Sequence, residues 1–259
     1  MTAGVAGLDG VLATVGPKSQ ALPWASVTKL LTATAALVAV EEGTIELDQP
    51  AGPPGSTVRH LLAHASGLPL DGDEGRVPPA TRRIYSNVGI ELVAESVGRG
   101  AGMPFKQYLI EGVLVPLGMK DTRLGGSPAW GAYGPLSDLM ALAGELLAPK
   151  LISPETLALA TRVAFPNLDG VLPGYGMQRP NDWGLGFELR DGKSPHWTGA
   201  ANSLATFGHF GQTGSFLWVD PVANLACASL ADRDFGAWAI RAWPALADAV
   251  VAEFSAPMT

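Results

Sequence analysis

A serine and a lysine three residues apart are the first candidates for chemistry in this 259-residue chain. Ser26 and Lys29 open a segment rich in Ala, Leu and Thr, which predicts a buried helix over residues 26–42. Side chains at i and i+3 share a helix face, so the amine would lie beside the hydroxyl. A buried lysine with a lowered pKa can then take the serine proton and activate it as a nucleophile. The pattern is weak alone, because Ser-x-x-Lys should occur by chance about once in such a chain.

Tyr85-Ser86-Asn87 is the single Tyr-x-Asn sequence of the chain. We expect a nearby lysine ammonium to lower the pKa of the Tyr85 phenol, which could then act as a general base. Asn87 offers both a donor and an acceptor to an amide-like substrate. The alternative is a loop tyrosine followed by a helix cap.

A glycine-rich segment, residues 208–214, precedes a predicted strand and reads Gly-His-Phe-Gly-Gln-Thr-Gly. Glycines allow the backbone to approach a ligand closely. A backbone N–H from this edge, together with that of Ser26, would form an oxyanion hole. The alternative is a glycine-rich hairpin without a chemical role.

The elements that must position these residues follow from the hydrophobic pattern. Strands are predicted at residues 10–15, 184–190, 215–220 and 225–230, and further helices at 57–63, 87–95, 105–113, 135–147, from 153 onward and at 237–254. This order predicts an α+β fold in which the early strand pairs with the late ones. Residues 1–54 and 181–259 would form an α/β lobe and residues 55–180 a helical lobe, as one interleaved catalytic unit with a cleft between them.

In this order, the three motifs resemble the serine β-lactamase and penicillin-binding protein superfamily. The similarity is to its class C-type branch, which includes family VIII esterases, D-aminopeptidases and D,D-carboxypeptidases. It runs from about residue 8 to the end and includes residues 60–69, 116–122, 153–157 and 214–221. The resemblance implies a β-lactamase/transpeptidase-like fold, with an antiparallel sheet flanked by helices plus an all-helical lobe, and a site without metal or cofactor.

The resemblance also implies a role for each matched residue. Ser26 would be the acyl-accepting nucleophile, and Lys29 would share its proton. Tyr85 would be the base in acylation and would help to activate the deacylating water, while Asn87 would hold the amide or ester flank of the substrate.

The family's Lys-Thr-Gly sequence is matched here by His209-Phe210-Gly211, so that Gln212 would supply the second oxyanion N–H. A second register would place this motif on residues 212–214. In the first register His209 replaces a lysine that contacts a β-lactam carboxylate, and a neutral imidazole attracts that anion less. The segments before Ser26 and between residues 26 and 85 are also short for this branch, which would leave the cleft open and unselective.

The sequence therefore predicts a serine hydrolase that forms an acyl-enzyme on Ser26 and hydrolyses small carboxylic esters or amides, esters being preferred. A D-amino-acid peptidase or carboxypeptidase, or a weak β-lactamase, is the alternative on the same site. A non-catalytic, penicillin-binding-like protein is the alternative from another class. The presence of Ser26, Lys29 and Tyr85 together favours an enzyme.

Composition excludes other classes of function. Hydrophobic residues make up 47% and charged residues 16% of the chain, which predicts a large core and argues against disorder. With a net charge of −7 and no basic stripe, nucleic acid is not an expected partner. The longest apolar run, residues 30–40, is too short to span a bilayer. We expect a cytoplasmic protein from the sequence as given, and an exported one if a leader was removed.

The remaining histidines are weaker candidates. His60 and His64 have the spacing of metal ligands on a helix, but no Glu or Cys joins them, so no metal site is expected. His196 is expected to be exposed in a loop. The sequence leaves the oligomeric state open.

Overall fold

The computed structural model of the chain describes residues 1–72 and 74–255. The strands, in chain order, are β1 (Thr2–Gly7), β2 (Gly10–Val15), β3 (Leu22–Pro23), β4 (Arg123–Leu124), β5 (Ala132–Gly134), β6 (Gly170–Leu172), β7 (Gly176–Gln178), β8 (Glu188–Leu189), β9 (Phe207–Phe210), β10 (Phe216–Asp220) and β11 (Leu225–Leu230). The helices are α1 (Thr28–Glu41), α2 (Val58–Leu62), α3 (Asn87–Ala101), α4 (Phe105–Leu109), α5 (Leu136–Leu147), α6 (Pro154–Ala160) and α7 (Ala237–Phe254). A 3-10 turn, Ala25–Val27, precedes α1, and a π-helical turn, Ile110–Leu114, follows α4.

The main sheet has six antiparallel strands in the order β2-β1-β11-β10-β9-β8. Successive side chains of a strand point to opposite faces, so each strand contributes to two cores. Trp218 and Cys227 are register partners, and they pack with Trp243 of α7 on one face. Leu217 and Ala228 face the other side, where α5 packs across β1, β10 and β11. The sheet is therefore covered by helices on both faces.

Helix α1 lies at the centre of the molecule. Its residues from Thr28 to Ala39 are all buried, and α3, α4 and the π-helical turn contact it. A helix that is apolar on nearly every face must be surrounded in this way. This confirms the buried helix predicted from residue 26 onward, and it carries Lys29 into the interior.

The α+β fold class is confirmed, with an antiparallel sheet and helices on both sides. Strands β2 and β11 and helix α7 have the predicted bounds. The strand that pairs with β11 is however β1, with Thr2 opposite Leu230. The prediction missed β1 because Thr-Ala-Gly-Val-Ala-Gly is poor in the large β-formers that identify a strand.

Several predicted bounds were wrong. The strand expected at residues 184–190 shrinks to β8, since Gly186 has a positive φ of 87°. Helix α3 continues past residue 95 to Ala101 and ends at Gly102, whose φ is 65°. The single helix expected at 105–113 is α4 followed by the π-helical turn. Within the described ranges, no helix is both long enough and apolar enough to cross a bilayer.

Candidate active site

Ser26 lies in the 3-10 turn, two residues before α1 begins at Thr28, rather than inside the helix. The preceding residue, Ala25, has a φ of 46°, a left-handed conformation that is uncommon for a residue other than glycine. Neighbouring contacts enforce this bend. The indole N–H of the buried Trp24 donates to Gly134 O at 3.1 Å, and Trp24 O accepts from Ser215 Oγ at 2.7 Å.

Lys29 reaches back from the first turn of α1 toward the serine. Its Nζ donates to Ser26 Oγ at 3.3 Å, to Asn87 Oδ1 at 2.7 Å and to Ala129 O at 2.9 Å. The loop that carries Ala129 is itself held to α1, because Thr32 Oγ1 donates to Pro128 O at 2.6 Å. The amine is thus aimed at the hydroxyl by three separate segments of the chain.

Burial lowers the pKa of Lys29 to about 7, although the charges of Asp71 and Glu91 oppose this change. Desolvation disfavours the ammonium form of a buried lysine. A substantial fraction of Lys29 is therefore a neutral amine near neutral pH and can accept a proton from Ser26.

Tyr85 stands on the other side of the amine, with its ring centroid 4.6 Å from Lys29 Nζ. Burial raises the pKa of its phenol, and the Ser26 hydroxyl opposes this only in part. The expectation of a lowered pKa was wrong, because removal of water disfavours the phenolate and the charge of Asp71 adds to that effect. Among the described residues its hydroxyl makes no hydrogen bond of ordinary geometry, although the Ser26 hydroxyl lies near enough to act on its pKa.

Asn87 begins α3 and joins the site through its side chain. Its Oδ1 accepts from Lys29 at 2.7 Å, and its Nδ2 donates to Asp71 Oδ1 at 3.0 Å. The cap of the helix is Ser86, whose Oγ accepts from Gly89 N at 3.0 Å. Asn87 is therefore free of the capping role and faces the lysine.

The glycine-rich segment brings the end of β9 against the Ser26 turn. A Cβ on Gly211 would lie 2.6 Å from Trp24 O and 2.9 Å from Ala25 Cβ, so the two backbones touch only because this residue is glycine. The next N–H, that of Gln212, has no acceptor among the described residues. Thr213 Oγ1 donates to Pro23 O at 3.0 Å and so holds the turn after β9 against β3.

His209 is buried at the end of β9, beside Tyr85. Its Nδ1–H donates to Phe210 O at 2.7 Å, which leaves Nε2 as the unprotonated nitrogen. Burial and then the charge of Lys29 lower its pKa to about 3. The imidazole is therefore neutral at all ordinary pH values, unlike a lysine at the same position.

A cavity of about 230 Å³ lies over the serine. Six of the eight predicted site residues line it directly, namely Ser26, Tyr85, Asn87, His209, Phe210 and Gln212. The other two are adjacent: Lys29 is bonded to Ser26, and Gly211 packs against the Ser26 turn. The remaining walls of the cavity are mostly apolar and are formed by Leu70, Leu172, Pro173 and Trp183.

One side of the cavity rests on a buried ionic network that the sequence did not reveal. Glu188 lines the cavity, and its carboxylate binds Lys193, His196 Nε2 at 2.9 Å and the Trp197 indole N–H at 2.7 Å. Burial would raise the pKa of Glu188, but Lys193 and then His196 hold it at about 2. The expectation that His196 is exposed was wrong, since its partner comes from a strand eight residues away.

The two histidines with metal-ligand spacing serve other contacts. His60 Nδ1 bonds Thr57 Oγ1 at 2.9 Å, while His64 Nδ1 accepts from Ser86 N at 3.2 Å and its ring packs on Tyr85. Over the part of the chain that the structure describes, no group of three or more His, Cys, Asp or Glu side chains is placed to hold a metal ion.

This fold and this arrangement of serine, lysine, tyrosine and glycine-rich edge define a class of β-lactamase-fold serine hydrolases. The sequence pattern of the Beta-lactamase family matches residues 18–251, and the chain belongs to that family. EstCE1, a hydrolase with promiscuous acyltransferase activity, is 18% identical and shares the fold with a TM-score of 0.78 over 96% of this chain and 93% of its own.

Individual relatives agree with this assignment. The structure of a β-lactamase from Mycobacterium bovis is 58% identical, with a TM-score of 0.97 over 98% of this chain and 95% of that one. A mutant of simvastatin synthase from Aspergillus terreus, 19% identical, shares the fold with a TM-score of 0.80 over 98% of this chain and 90% of its own. The D-alanyl-D-alanine-carboxypeptidase/endopeptidase AmpH of Escherichia coli (strain K12) is 28% identical over 141 residues. That match covers 40% of this chain and 37% of AmpH, little more than a third of its length.

Proposed function

We propose that this protein hydrolyses small carboxylic esters through an acyl-enzyme on Ser26. The observation that carries the proposal is the contact between Lys29 Nζ and Ser26 Oγ at 3.3 Å, made by a buried amine whose pKa is lowered to about 7. A neutral amine beside a hydroxyl at the mouth of an apolar cavity is the arrangement that activates a serine nucleophile.

In the first step Lys29 is the neutral amine, which donates its two N–H groups to Asn87 Oδ1 and Ala129 O and turns its lone pair toward Ser26. Ser26 Oγ then attacks the ester carbonyl carbon while its proton moves to Lys29 Nζ. The carbonyl oxygen becomes an oxyanion, which would accept hydrogen bonds from the backbone N–H groups of Ser26 and Gln212. The uncommitted N–H of Gln212 supports this role. The same geometry favours the register in which His209-Phe210-Gly211 is the motif, since Thr213 and Gly214 belong to the turn beyond it.

In the second step, the bond from carbon to the leaving oxygen breaks, and that oxygen must receive a proton. Because burial raises the pKa of Tyr85, its phenol keeps its proton at neutral pH and can donate it, recovering one from Lys29. Water then attacks the acyl carbon and gives a proton to Lys29, which passes it to Ser26 Oγ as the bond between that oxygen and the acyl carbon breaks. The balance is one ester and one water converted to one acid and one alcohol.

The ester preference rests on the charge and polarity of the cavity. His209 is neutral, and most of the wall residues are apolar, so the site offers little to a substrate carboxylate. AmpH is named as a D-alanyl-D-alanine carboxypeptidase and the Mycobacterium bovis protein as a β-lactamase, which keeps peptidase and weak β-lactamase activities as the second candidate.

A hydrolysis panel of p-nitrophenyl esters, D-Ala-D-Ala peptides and a chromogenic cephalosporin tests the substrate class. We expect turnover of short esters, loss of that turnover in Ser26→Ala, and an unchanged melting temperature. Ser19→Ala, at an exposed serine, is the matched control and should keep full activity. Mass spectrometry of the quenched reaction should find the acyl group on the peptide that contains Ser26.

Two results would overturn the proposal. If Ser26→Ala hydrolysed esters at the full rate, Ser26 would be excluded as the nucleophile. An absence of labelling by a fluorophosphonate probe, with no turnover of any substrate, would favour the non-catalytic binding protein instead.

A further inference from the structure

We propose that Asp71 is a positioning residue for Lys29 and acts on it through the side-chain amide of Asn87. This inference rests on the proposed role of Lys29 as the base for Ser26. The chain of contacts runs from Lys29 Nζ to Asn87 Oδ1 at 2.7 Å, and from Asn87 Nδ2 to Asp71 Oδ1 at 3.0 Å.

The segment that carries Asp71 is held firmly to the start of α3. Asn87 N donates to Leu70 O at 2.8 Å, and Ser86 Oγ donates to Pro69 O at 2.6 Å. The residue before Asp71 is therefore bonded to the backbone of the residue that Asp71 contacts. An exposed carboxylate carried on such an anchored backbone keeps its place relative to Asn87.

The contacts allow a single orientation of the Asn87 amide. A lysine amine offers donors, so it requires the amide oxygen, and an ionised carboxylate accepts only, so it requires the amide nitrogen. Without Asp71, the amide is free to rotate and to turn Nδ2 toward Lys29. The lysine would then lose one of its three acceptors and would be held only by Ser26 Oγ and Ala129 O.

Asp71 also acts through its charge. Two carboxylates, Asp71 and Glu91, favour the ammonium form of Lys29 against the effect of burial. Glu91 lies on α3, and its carboxylate accepts from Ser127 Oγ at 2.5 Å, whereas the side-chain nitrogen of Asn87 donates to Asp71. Glu91 therefore acts on Lys29 through its charge. The other titratable groups around the amine are Tyr85, His64 and His209, and all three are held neutral by burial.

The test compares Asp71→Ala, Asp71→Asn and Glu91→Gln with the unmodified protein, using the pH profile of ester hydrolysis. Asp71→Asn and Glu91→Gln each remove one negative charge, so the acidic limb of kcat/KM should move to lower pH by about half a unit. Asp71→Ala should show that shift and also a fall in kcat of about tenfold at the plateau, because Asn87 is released. Glu74→Gln, at an exposed carboxylate of the same loop, is the matched control and should change neither quantity.

A second measurement does not depend on turnover. The pKa of Lys29, followed by NMR in protein with labelled lysine side chains, should fall in Asp71→Asn relative to the unmodified protein. Equal Lys29 pKa values and equal pH profiles in all variants would overturn the inference about Asp71 while leaving Ser26-dependent hydrolysis intact. A failure of the proposed function would appear differently, as an absence of Ser26-dependent turnover in the unmodified protein.

Discussion

The proposed role of Lys29 as a base requires its burial, yet burial also removes the water that would solvate the amine. The protein replaces that water with three acceptors, on Ser26, Asn87 and Ala129, and leaves one side of the amine against the Tyr85 ring. Burial lowers the pKa of the amine to about 7, which is the range in which a general base is most effective. The same burial keeps Tyr85 protonated, so the two groups have complementary proton states at neutral pH.

The proton state of Lys29 predicts how ester hydrolysis depends on pH. Because the pKa of Lys29 is lowered to about 7, the amine is protonated below that pH and cannot accept the Ser26 proton. We therefore expect kcat/KM for esters to rise through about pH 7 and to level off above it.

Lys29→Arg should lose at least about 100-fold in kcat, since a guanidinium stays charged and cannot accept the Ser26 proton. A rate that does not change with pH across neutrality would contradict the assignment of Lys29 as the base.

At the scale of elements, the site depends on how closely β9 and its following turn approach the Ser26 turn. Gly211 lies where the two backbones meet, with its N–H bonded to Ser215 O at 2.8 Å. The left-handed Ala25 brings the Ser26 turn to this contact from the other side. In the proposed mechanism, the distance between these two elements, rather than any one side chain, determines whether the Ser26 and Gln212 N–H groups can face one oxyanion.

Gly211→Ala tests this contact. The added Cβ would lie 2.5 Å from Ser215 Oγ and 2.6 Å from Trp24 O, so the turn must move away from Ser26. We expect kcat/KM to fall by about 100-fold, as when an oxyanion donor is lost, with a stability loss of about 1–3 kcal/mol. Gly192→Ala is the control, because a Cβ there meets nothing within 4 Å. Equal activity of the two variants would show that the close approach has no catalytic role.

At the scale of the whole molecule, Arg83 joins segments that are far apart in the sequence. It is 2% exposed, and its guanidinium donates to Ala63 O at 2.5 Å, Asn181 O at 3.0 Å, Ala164 O at 2.7 Å and Phe165 O at 2.9 Å. A planar group with five donors can bind several carbonyls in this way, and a lysine cannot. These contacts fix the chain just before Tyr85 against three other parts of the fold.

Arg83→Met should therefore destabilise the protein by about 3 kcal/mol, since two buried and two half-buried carbonyls lose their donor. The free energy of unfolding, measured by urea titration, checks this value. Arg82→Met is the matched control, because Arg82 is exposed, and its effect should stay within about 0.5 kcal/mol. Similar unfolding midpoints for the two variants would show that the buried guanidinium is not needed for stability.

Local patterns predicted those parts of the fold that local physics determines. The apolar run of α1 and the helices expected from residue 153 and at 237–254 follow from neighbouring residues alone. In the structure, Ser153 caps α6 with Pro154 in its first turn. Strand β1 could not be found in this way, since its Thr-Ala-Gly-Val-Ala-Gly sequence is held as a strand by pairing with β2 on one side and β11 on the other. No local signal pointed to the buried pairing of Glu188 with His196 either.

The sequence by itself determined which residue types the site contains and their order, because Ser26, Lys29, Tyr85, Asn87 and the segment from His209 to Gln212 carry recognisable spacings. The tertiary structure alone decided their proton states, since a pKa depends on water and on charges that belong to distant segments. It lowers the pKa of Lys29, raises that of Tyr85, and adds Asp71 as a contact of Asn87. Spacing along a chain identifies groups that can react, but packing determines their exposure to water and their neighbouring charges, and these determine their pKa values.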